Sequence, residues 1–463
     1  MAEARRRGLP AVRRRGLVAL AVAALSLTLF THTPIVHAWN TPAHMVVAAV
    51  ALRHISKPAN QTINFHLGAF REFYPSRSSS MVDASPWMDH VKSSGLRLFD
   101  EWHYINIPTI EEGYSPPGGY GEGSPNVVTA LTEAVLSLTG AGGGGDVRYS
   151  RPDEWTKAFL TRLLVHLMAD LHQPLHCTQY FNEQFPGGDG GGTKVFLSPK
   201  VDVGSGVSVG DLHAFWDGAA GMLEDVQVAE PPAHTTKEAS DVALAAELID
   251  ADTLALPNRY ELGICDEEGC PLIRVPTVNG GEPAPPAQVR IFWEGKFRGW
   301  AEEARSIARD VAYSSEVSRV LEGGGGGAGA AVDTGAAEWE AYASKAKNRA
   351  RIQLGVAGHR LAALVNSLFL EAPPAPKPPP SPPRHMPSPP PMAPPEAVPC
   401  VGSPQATVIG LSVCLAIATA VAAWMTRLYL RSRQQWWRST MSTYGAGEFD
   451  LPKSNFQPLD EDL

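Results

Sequence analysis

The stretch Leu164-Val-His166-Leu-Met-Ala-Asp170-Leu-His172-Gln-Pro174-Leu-His176 is the most informative part of this chain. The helical period places His166 and Asp170 on one face, one turn apart, and Pro174 stops the helix so that His176 can turn back. That spacing suits the ligands of a first-row metal ion. Downstream, Asp211-Leu-His213-Ala-Phe-Trp216-Asp217 repeats a histidine followed at i+4 by a carboxylate. Either cluster alone reads equally well as core histidines or solvated charges, because such pairs arise by chance. Two of them in a chain with 14 His and five Cys favour metal. No CxxC pair occurs, which excludes a four-cysteine zinc site and leaves His and carboxylate as donors. His172, two residues past Asp170, falls on another helix face and reads as a structural histidine.

Around these clusters the periodic segments are helical: Ala43 to Ile55, Val127 to Leu138, Asp153 to Leu171, Asp241 to Ala255, Val289 to Val320 and Ala337 to Phe369. β-branched stretches such as Thr193 to Leu197 are few. The fold class is therefore mainly α, with one large domain over residues 39–371. Glycine runs at Gly142 to Gly145 and Gly323 to Gly327 read as surface-loop insertions, and Asn60-Gln-Thr62, a glycosylation sequon, reads as exposed surface. Cys265 and Cys270 could close a small disulfide loop, whereas Cys177, Cys400 and Cys414 have no obvious partners.

The two ends of the chain are of a different kind. Residues 1–38 have the form of a secretory signal: six arginines, an apolar run from Leu17 to Phe30, and small residues before Trp39. Removing them leaves 33 basic against 47 acidic residues, so the exported chain is strongly acidic and has no general electrostatic hold on nucleic acid. Residues 372–405 form a Pro-rich stalk, and residues 406–426 contain no charge and are long enough to cross a bilayer once. Arg427, Arg431 and Arg433 follow that run and place the tail, 427–463, in the cytoplasm. The expected localisation is a single-pass type I membrane protein with its large domain extracellular or lumenal.

Three further pieces complete the pattern: Asp83-Ala-Ser-Pro-Trp87-Met-Asp89, Trp102-His103-Tyr104-Ile-Asn106, and Trp39-Asn-Thr-Pro-Ala-His44 at the expected new N-terminus. Together with the two clusters they resemble the class I zinc-dependent nuclease family, which comprises fungal single-strand-specific nucleases, plant bifunctional nucleases and trypanosomatid 3′-nucleotidase/nucleases. The signal, stalk and single span are most similar to the membrane-anchored trypanosomatid members. The resemblance implies a fold of the zinc phospholipase C type and three Zn2+ per chain. Asp170 would be shared by two ions, one also held by Asp89, His103 and His166, the other by His44 with the α-amino nitrogen and carbonyl oxygen of Trp39. The third would be held by His176, His213 and Asp217. Asp89 and Asp170 would be catalytic together with zinc-bound hydroxide, and Lys92, Tyr104 and Asn106 would contact substrate.

The chain departs from the fungal pattern at Asn106, where Asp is usual, at Lys92, where Arg is usual, and at Asn40, where Gly is usual. The implied activity is hydrolysis of single-stranded RNA or DNA to 5′-phosphorylated products and of 3′-nucleotides to nucleosides and phosphate. The implied partners are those substrates and a membrane, with no protein partner. Two other classes stay open: a zinc phospholipase C, whose group places Glu where this chain has Asp217, and a non-enzymatic surface binding protein. The Gly187 to Lys194 run is also family-like and reads as a tight turn rather than a phosphate cradle.

Overall fold

The structure is a computed structural model that describes residues 39–369 except 70, 72–79, 141–153, 205, 227, 229–235, 267–268, 279–281, 315–316 and 318–330. The signal, stalk, apolar run 406–426, tail, both glycine runs, Cys400 and Cys414 lie outside the described residues. Among the described residues no helix is long and apolar enough to cross a membrane.

The described part is mainly helical, as the periodicity predicts. Helix α1 (Thr41–His54) begins with Pro42 in its first turn and is capped by Asn40, whose side chain accepts the Ala43 N–H at 3.1 Å. Asn40 has φ −62°, so the position asks for a cap and not for glycine's left-handed freedom. Helix α2 (Lys57–Gly68) is capped by Ser56, and α3 (Trp87–Ser93) follows a short turn. Helix α4 (Val127–Thr139) opens on a reciprocal Asn126/Thr129 capping box. Helix α5 (Glu154–Asp170) stops four residues before Pro174, and α6 (Leu212–Asp217) is capped by Asp211. Helices α7 (Thr236–Leu254), α8 (Pro286–Ile307) and α9 (Ala337–Leu368) complete the scaffold.

Two expected extents change. Helix α8, predicted to continue toward Val320, gives way to a π-helical turn at Ala308–Ala312, a widening that delivers Tyr313 to the buried carboxylate of Asp189. The strand expected at Thr193 to Leu197 instead runs from Phe196 to Asp202, because the chain before it is wound around Asp189. Lys194 N–H donates to the Asp189 carbonyl, and Val195 N–H to that of Gly192. The sequon lies inside α2: Asn60 is half-buried and accepts a hydrogen bond from Asn64, Gln61 is exposed, and Thr62 is buried with its hydroxyl on the Pro58 carbonyl, so its surface position is that of a helix.

Short strands tie the loops together. Strand β1 (Pro108–Ile110) pairs in parallel with β2 (Gln179–Phe181), joining the segment after His103 to the segment after His176. Strand β3 (Phe196–Asp202) pairs with β4 (Ser208–Asp211), which feeds directly into α6, and with β5 (Ala331–Asp333) on its other edge. Helix α9 lies across α1, α7 and α5. Its approach to α1 is close enough that a Cβ at Gly358 would come within 2.5 Å of Val50 Cγ1 and 3.0 Å of the Val47 carbonyl oxygen. Trp39, Trp216 and Trp293 are among the largest fully buried side chains of the core.

Candidate metal centre

The residues singled out in the sequence reach one place from five stretches of chain. His44 sits in the first turns of α1, Asp89 on α3, and His103 at the end of a 3-10 turn, Asp100–His103. His166 and Asp170 occupy the end of α5, His176 a second 3-10 turn (Pro174–Cys177), and His213 and Asp217 lie on α6. Backbone hydrogen bonds stitch these pieces together: Ile105 N–H to the His176 carbonyl at 2.8 Å, Asn40 N–H to the Asp217 carbonyl at 2.9 Å, and Leu212 N–H to the Val195 carbonyl at 2.9 Å.

Asp170 is the hub. Its Oδ2 lies 3.0 Å from His103 Nδ1 and 3.2 Å from His166 Nε2, and its Oδ1 lies 3.4 Å from His44 Nε2 and 3.7 Å from His176 Nδ1. Asp89 joins the same group, with Oδ2 3.8 Å from His44 Nε2 and Oδ1 4.0 Å from His103 Nδ1. Beside it, Asp217 lies 3.4 Å from His176 Nε2 and 3.3 Å from His213 Nε2. Tetrahedral zinc with bonds of about 2.0–2.2 Å holds its ligand atoms roughly 3.3 Å apart, so these separations are of the size such an ion requires. Donor atoms converge in three groups: His44/Asp89/His166, His103/His166/Asp170 and His176/His213/Asp217. His44 groups with Asp89 and His166 as well as with Asp170, whose Oδ1 is its nearest carboxylate oxygen, and its ring stacks on that of His166 at 3.9 Å. Trp39 is fully buried and its indole N–H donates to the Ala169 carbonyl at 2.9 Å, which sets the first residue of the domain against the hub.

The outer contacts orient the rings. Nδ1 of His166, His176 and His213 faces the carbonyl of Ser85 (2.7 Å), His103 (2.9 Å) and Gly191 (2.7 Å) respectively. A carbonyl only accepts, so each Nδ1 carries the proton and each Nε2 turns a lone pair inward. Several buried atoms at the centre have no hydrogen-bond partner: His44 Nε2, Asp89 Oδ1, Asp170 Oδ1, His176 Nε2 and Asp217 Oδ2. Buried polar atoms are ordinarily satisfied, and a set of inward-facing lone pairs fits a cation. The donors are imidazole and carboxylate, which suits zinc.

The charges divide along the same line. Burial opposes ionisation of Asp170, but the nearby His166 and a hydrogen bond from His103 hold it well below the usual carboxylate range. Asp89 is lowered too, with burial again overcome by His166, His103 and His44. Asp217 goes the other way: burial pushes it well above the usual range despite His213 and a hydrogen bond from Gln173. His44 is pushed down to about 4 by burial and by His166.

The expected substrate contacts are less concentrated. Lys92 is buried on α3, one turn after Asp89, and its charge acts on His176. Tyr104 and Asn106 are half-buried on the extended segment after His103; the Asn106 N–H is taken by the Glu122 carbonyl. His172 is fully buried outside the metal groups, with burial and Arg360 pushing it down to about 3. The Gly187 to Lys194 run is a turn around Asp189, which accepts from the N–H groups of Tyr180, Gly191 and Gly192 and from the Tyr313 hydroxyl. Gln173, which donates to Asp217 at 2.8 Å, carried no signal in the sequence beyond its place between His172 and Pro174. The disulfide Cys265–Cys270 is formed and Cys177 is buried and free.

The family model S1/P1 Nuclease matches residues 39–257, a span that holds every residue of the three metal groups described above. No curated protein matches the chain. The match, over a little under half of the chain, supports a likeness to the class I nucleases.

Proposed function

We propose that this protein is a trinuclear zinc phosphoesterase that cleaves single-stranded RNA or DNA to 5′-phosphorylated products and removes phosphate from 3′-nucleotides. The observation that carries this reading is Asp170: a fully buried carboxylate with imidazoles within 3.7 Å of both its oxygens and Oδ1 unanswered by any hydrogen bond. In this reading Asp170 is shared by two ions. Asp89, His103 and His166 complete one site, Trp39 and His44 complete the second, and His176, His213 and Asp217 hold the third. Zinc so held would supply a Lewis acid for phosphoryl oxygens and would lower the pKa of water to about 7.

The chain's own residues do the rest. The carbonyls of Ser85, His103 and Gly191 keep three imidazoles in the tautomer that ligates. Lys92 offers an ammonium to substrate phosphate as a point charge rather than a fork. Tyr104 offers a ring face on which a base can stack, and Asn106 an amide that can both donate and accept at a base edge. The net negative charge of the exported chain disfavours a stiff duplex and leaves flexible strands and mononucleotides as substrates. The Trp39 α-amino group becomes a donor only after the bond from Ala38 is cut, so export and metal loading are coupled. The signal, stalk and uncharged run 406–426 read from the sequence support an enzyme anchored to a membrane and facing outward.

The test is zinc analysis with parallel assays on 3′-AMP, single-stranded DNA and phosphatidylcholine, using protein that begins at Trp39. About three zinc ions, activity on the first two substrates and loss of both in Asp170→Ala are expected. Fewer than two tightly held ions, or activity confined to the lipid, overturns the proposal.

A further inference from the structure

The turn from Asp170 to His176 connects two metal groups, and besides its own backbone hydrogen bonds it is held from outside. Its fixed points come from a helix about 180 residues further along the sequence. On α9, Gln353 and Arg360 are seven residues apart and so share a face. Gln353 is buried and its amide donates to the His172 carbonyl at 3.1 Å. Arg360, also buried, donates from Nη1 to His172 Nε2 at 3.1 Å, from Nη2 to Glu303 at 2.7 Å and from Nε to the Leu262 carbonyl at 3.0 Å. Its guanidinium lies over Trp300, 5.1 Å from the ring centre, and Trp300 also flanks the His172 ring.

Arginine only donates, so His172 Nε2 must accept and the ring proton sits on Nδ1, aimed at the Met168 carbonyl 2.8 Å away. Both the ring and the carbonyl of His172 are therefore held from α9, and the residue cannot shift without breaking three hydrogen bonds. The next residue, Gln173, takes the Leu175 N–H on Oε1 at 2.6 Å and passes its own N–H to Asp217 Oδ1. Its backbone links Asp170 to His176: Gln173 N–H donates to the Asp170 carbonyl and His176 N–H to the Gln173 carbonyl, each at 3.0 Å.

We propose that Gln353 and Arg360 are positioning residues that clamp His172 and thereby set the place of His176 and Asp217 relative to Asp170. The inference rests on the zinc reading above and adds to it a selective dependence. Asp170 is held by its own helix, α5, whereas His176 and Gln173 lie beyond the helix end, where the His103–Ile105 segment holds His176 from one side and the clamp holds the turn from the other. Loosening it affects the His176/His213/Asp217 group and spares the other two.

The experiment uses the full processed chain and a competition titration against a chromophoric chelator, which resolves the zinc affinities one by one. Arg360→Met and Gln353→Met are each expected to weaken one of three sites by about 10–100-fold, the range typical for loss of a partner that orients a ligand, and to leave two unchanged. Arg360→Lys, which can reach His172 or Glu303 but not both, is expected to recover part of the loss. Gln353→Met removes a single neutral hydrogen bond and keeps the volume, so it tests the proposal if Arg360→Met does not fold. If all affinities stay at the wild-type value, or all fall together with the melting temperature, the clamp is a stability element only and the proposal fails. If wild-type protein itself binds no zinc, the metal reading fails, a different result from wild-type and variants all binding three ions alike.

Discussion

Two clusters of histidine and carboxylate lie at opposite ends of α1, and only one of them asks for a metal. At the far end, Asp250 takes Arg53 Nε at 2.7 Å on Oδ2 and His54 Nε2 at 2.7 Å on Oδ1, with His359 Nε2 3.0 Å from the same oxygen. His359 Nδ1 accepts the Cys265 N–H, so its Nε2 carries the proton and serves Asp250 rather than an ion. Cys265 lies within ligand reach of His54 and His359, but its sulfur is bonded to Cys270 and offers no thiolate. Burial opposes the charge on Asp250, yet His359, His54 and Arg53 together hold it far below the usual carboxylate range. Both Asp250 oxygens are answered there, and the one atom of the cluster left without a hydrogen bond, His359 Nε2, carries a proton and not a lone pair. At the near end the same residue types leave Asp170 Oδ1, His176 Nε2 and Asp217 Oδ2 unanswered. Unanswered lone pairs mark a cation site, and a gathering of histidines and acids does not.

The largest contrast between the two ends should come from removing their acids. Asp170→Ala should lower phosphodiesterase activity by on the order of 10^3-fold or more, with loss of bound zinc. Asp250→Ala should leave zinc content and kcat at the wild-type level while lowering stability by about 1–3 kcal/mol, because it leaves the buried His359 and the half-buried His54 without their carboxylate, the exposed Arg53 adding little. Equal loss of zinc in both variants would erase the distinction. Next in size is the metal itself. At free zinc a thousandfold above Kd, the bound form should be more stable than the chelated form by about 4 kcal/mol per site in urea titrations. The Asp250→Ala deficit should be the same with or without zinc.

A smaller effect has an informative sign. In zinc-free protein Asp217 has a pKa above its unfolded value, so its contribution to stability is present at low pH and is lost as pH rises from about 3.9 toward the raised value. Asp250 is depressed, so its contribution is present above about 3.9 and is lost as pH falls below it. Asp217→Asn should therefore stabilise the zinc-free protein near neutral pH by about 1–3 kcal/mol, against a loss on zinc binding. A destabilised zinc-free Asp217→Asn protein would show that the carboxylate is already satisfied. The smallest expected change is at the start of the helix joining the clusters. Asn40→Gly exchanges one acceptable cap for another and should change the unfolding free energy in urea titrations by only about a few tenths of a kcal/mol.

What was legible in the sequence follows from how local each determinant is. The periods of α1, α4, α5, α7 and α9 predicted those helices to within a few residues, because amphipathic spacing is a property of neighbours in the chain. The ligand-type residues were legible for a similar reason: His166/Asp170 and His213/Asp217 share helix faces, and the remaining pieces were supplied by a resemblance. The Asn40 cap was readable from Asn40-Thr-Pro42 but was interpreted only as a departure from glycine. The π-helical turn before Tyr313 exists to serve Asp189, more than a hundred residues earlier in the chain, and no local pattern announces such a partner. Arg360, Gln353 and Gln173 were invisible for the same reason. The three residues of the sequon say nothing of the helix, Lys57–Gly68, that contains them.

Close helix crossings carry a further consequence. Helix α1 is a short rod, and the point where α9 presses on it, at Val47 and Val50 opposite Gly358, is about 5–9 Å along its axis from His44. A rod does not bend over such a length; it tips. A methyl group added at residue 358 would act as a wedge under one arm of a lever whose other arm carries an imidazole into the reactive pocket, so the smallest residue of the last helix governs how finely the first one is aimed.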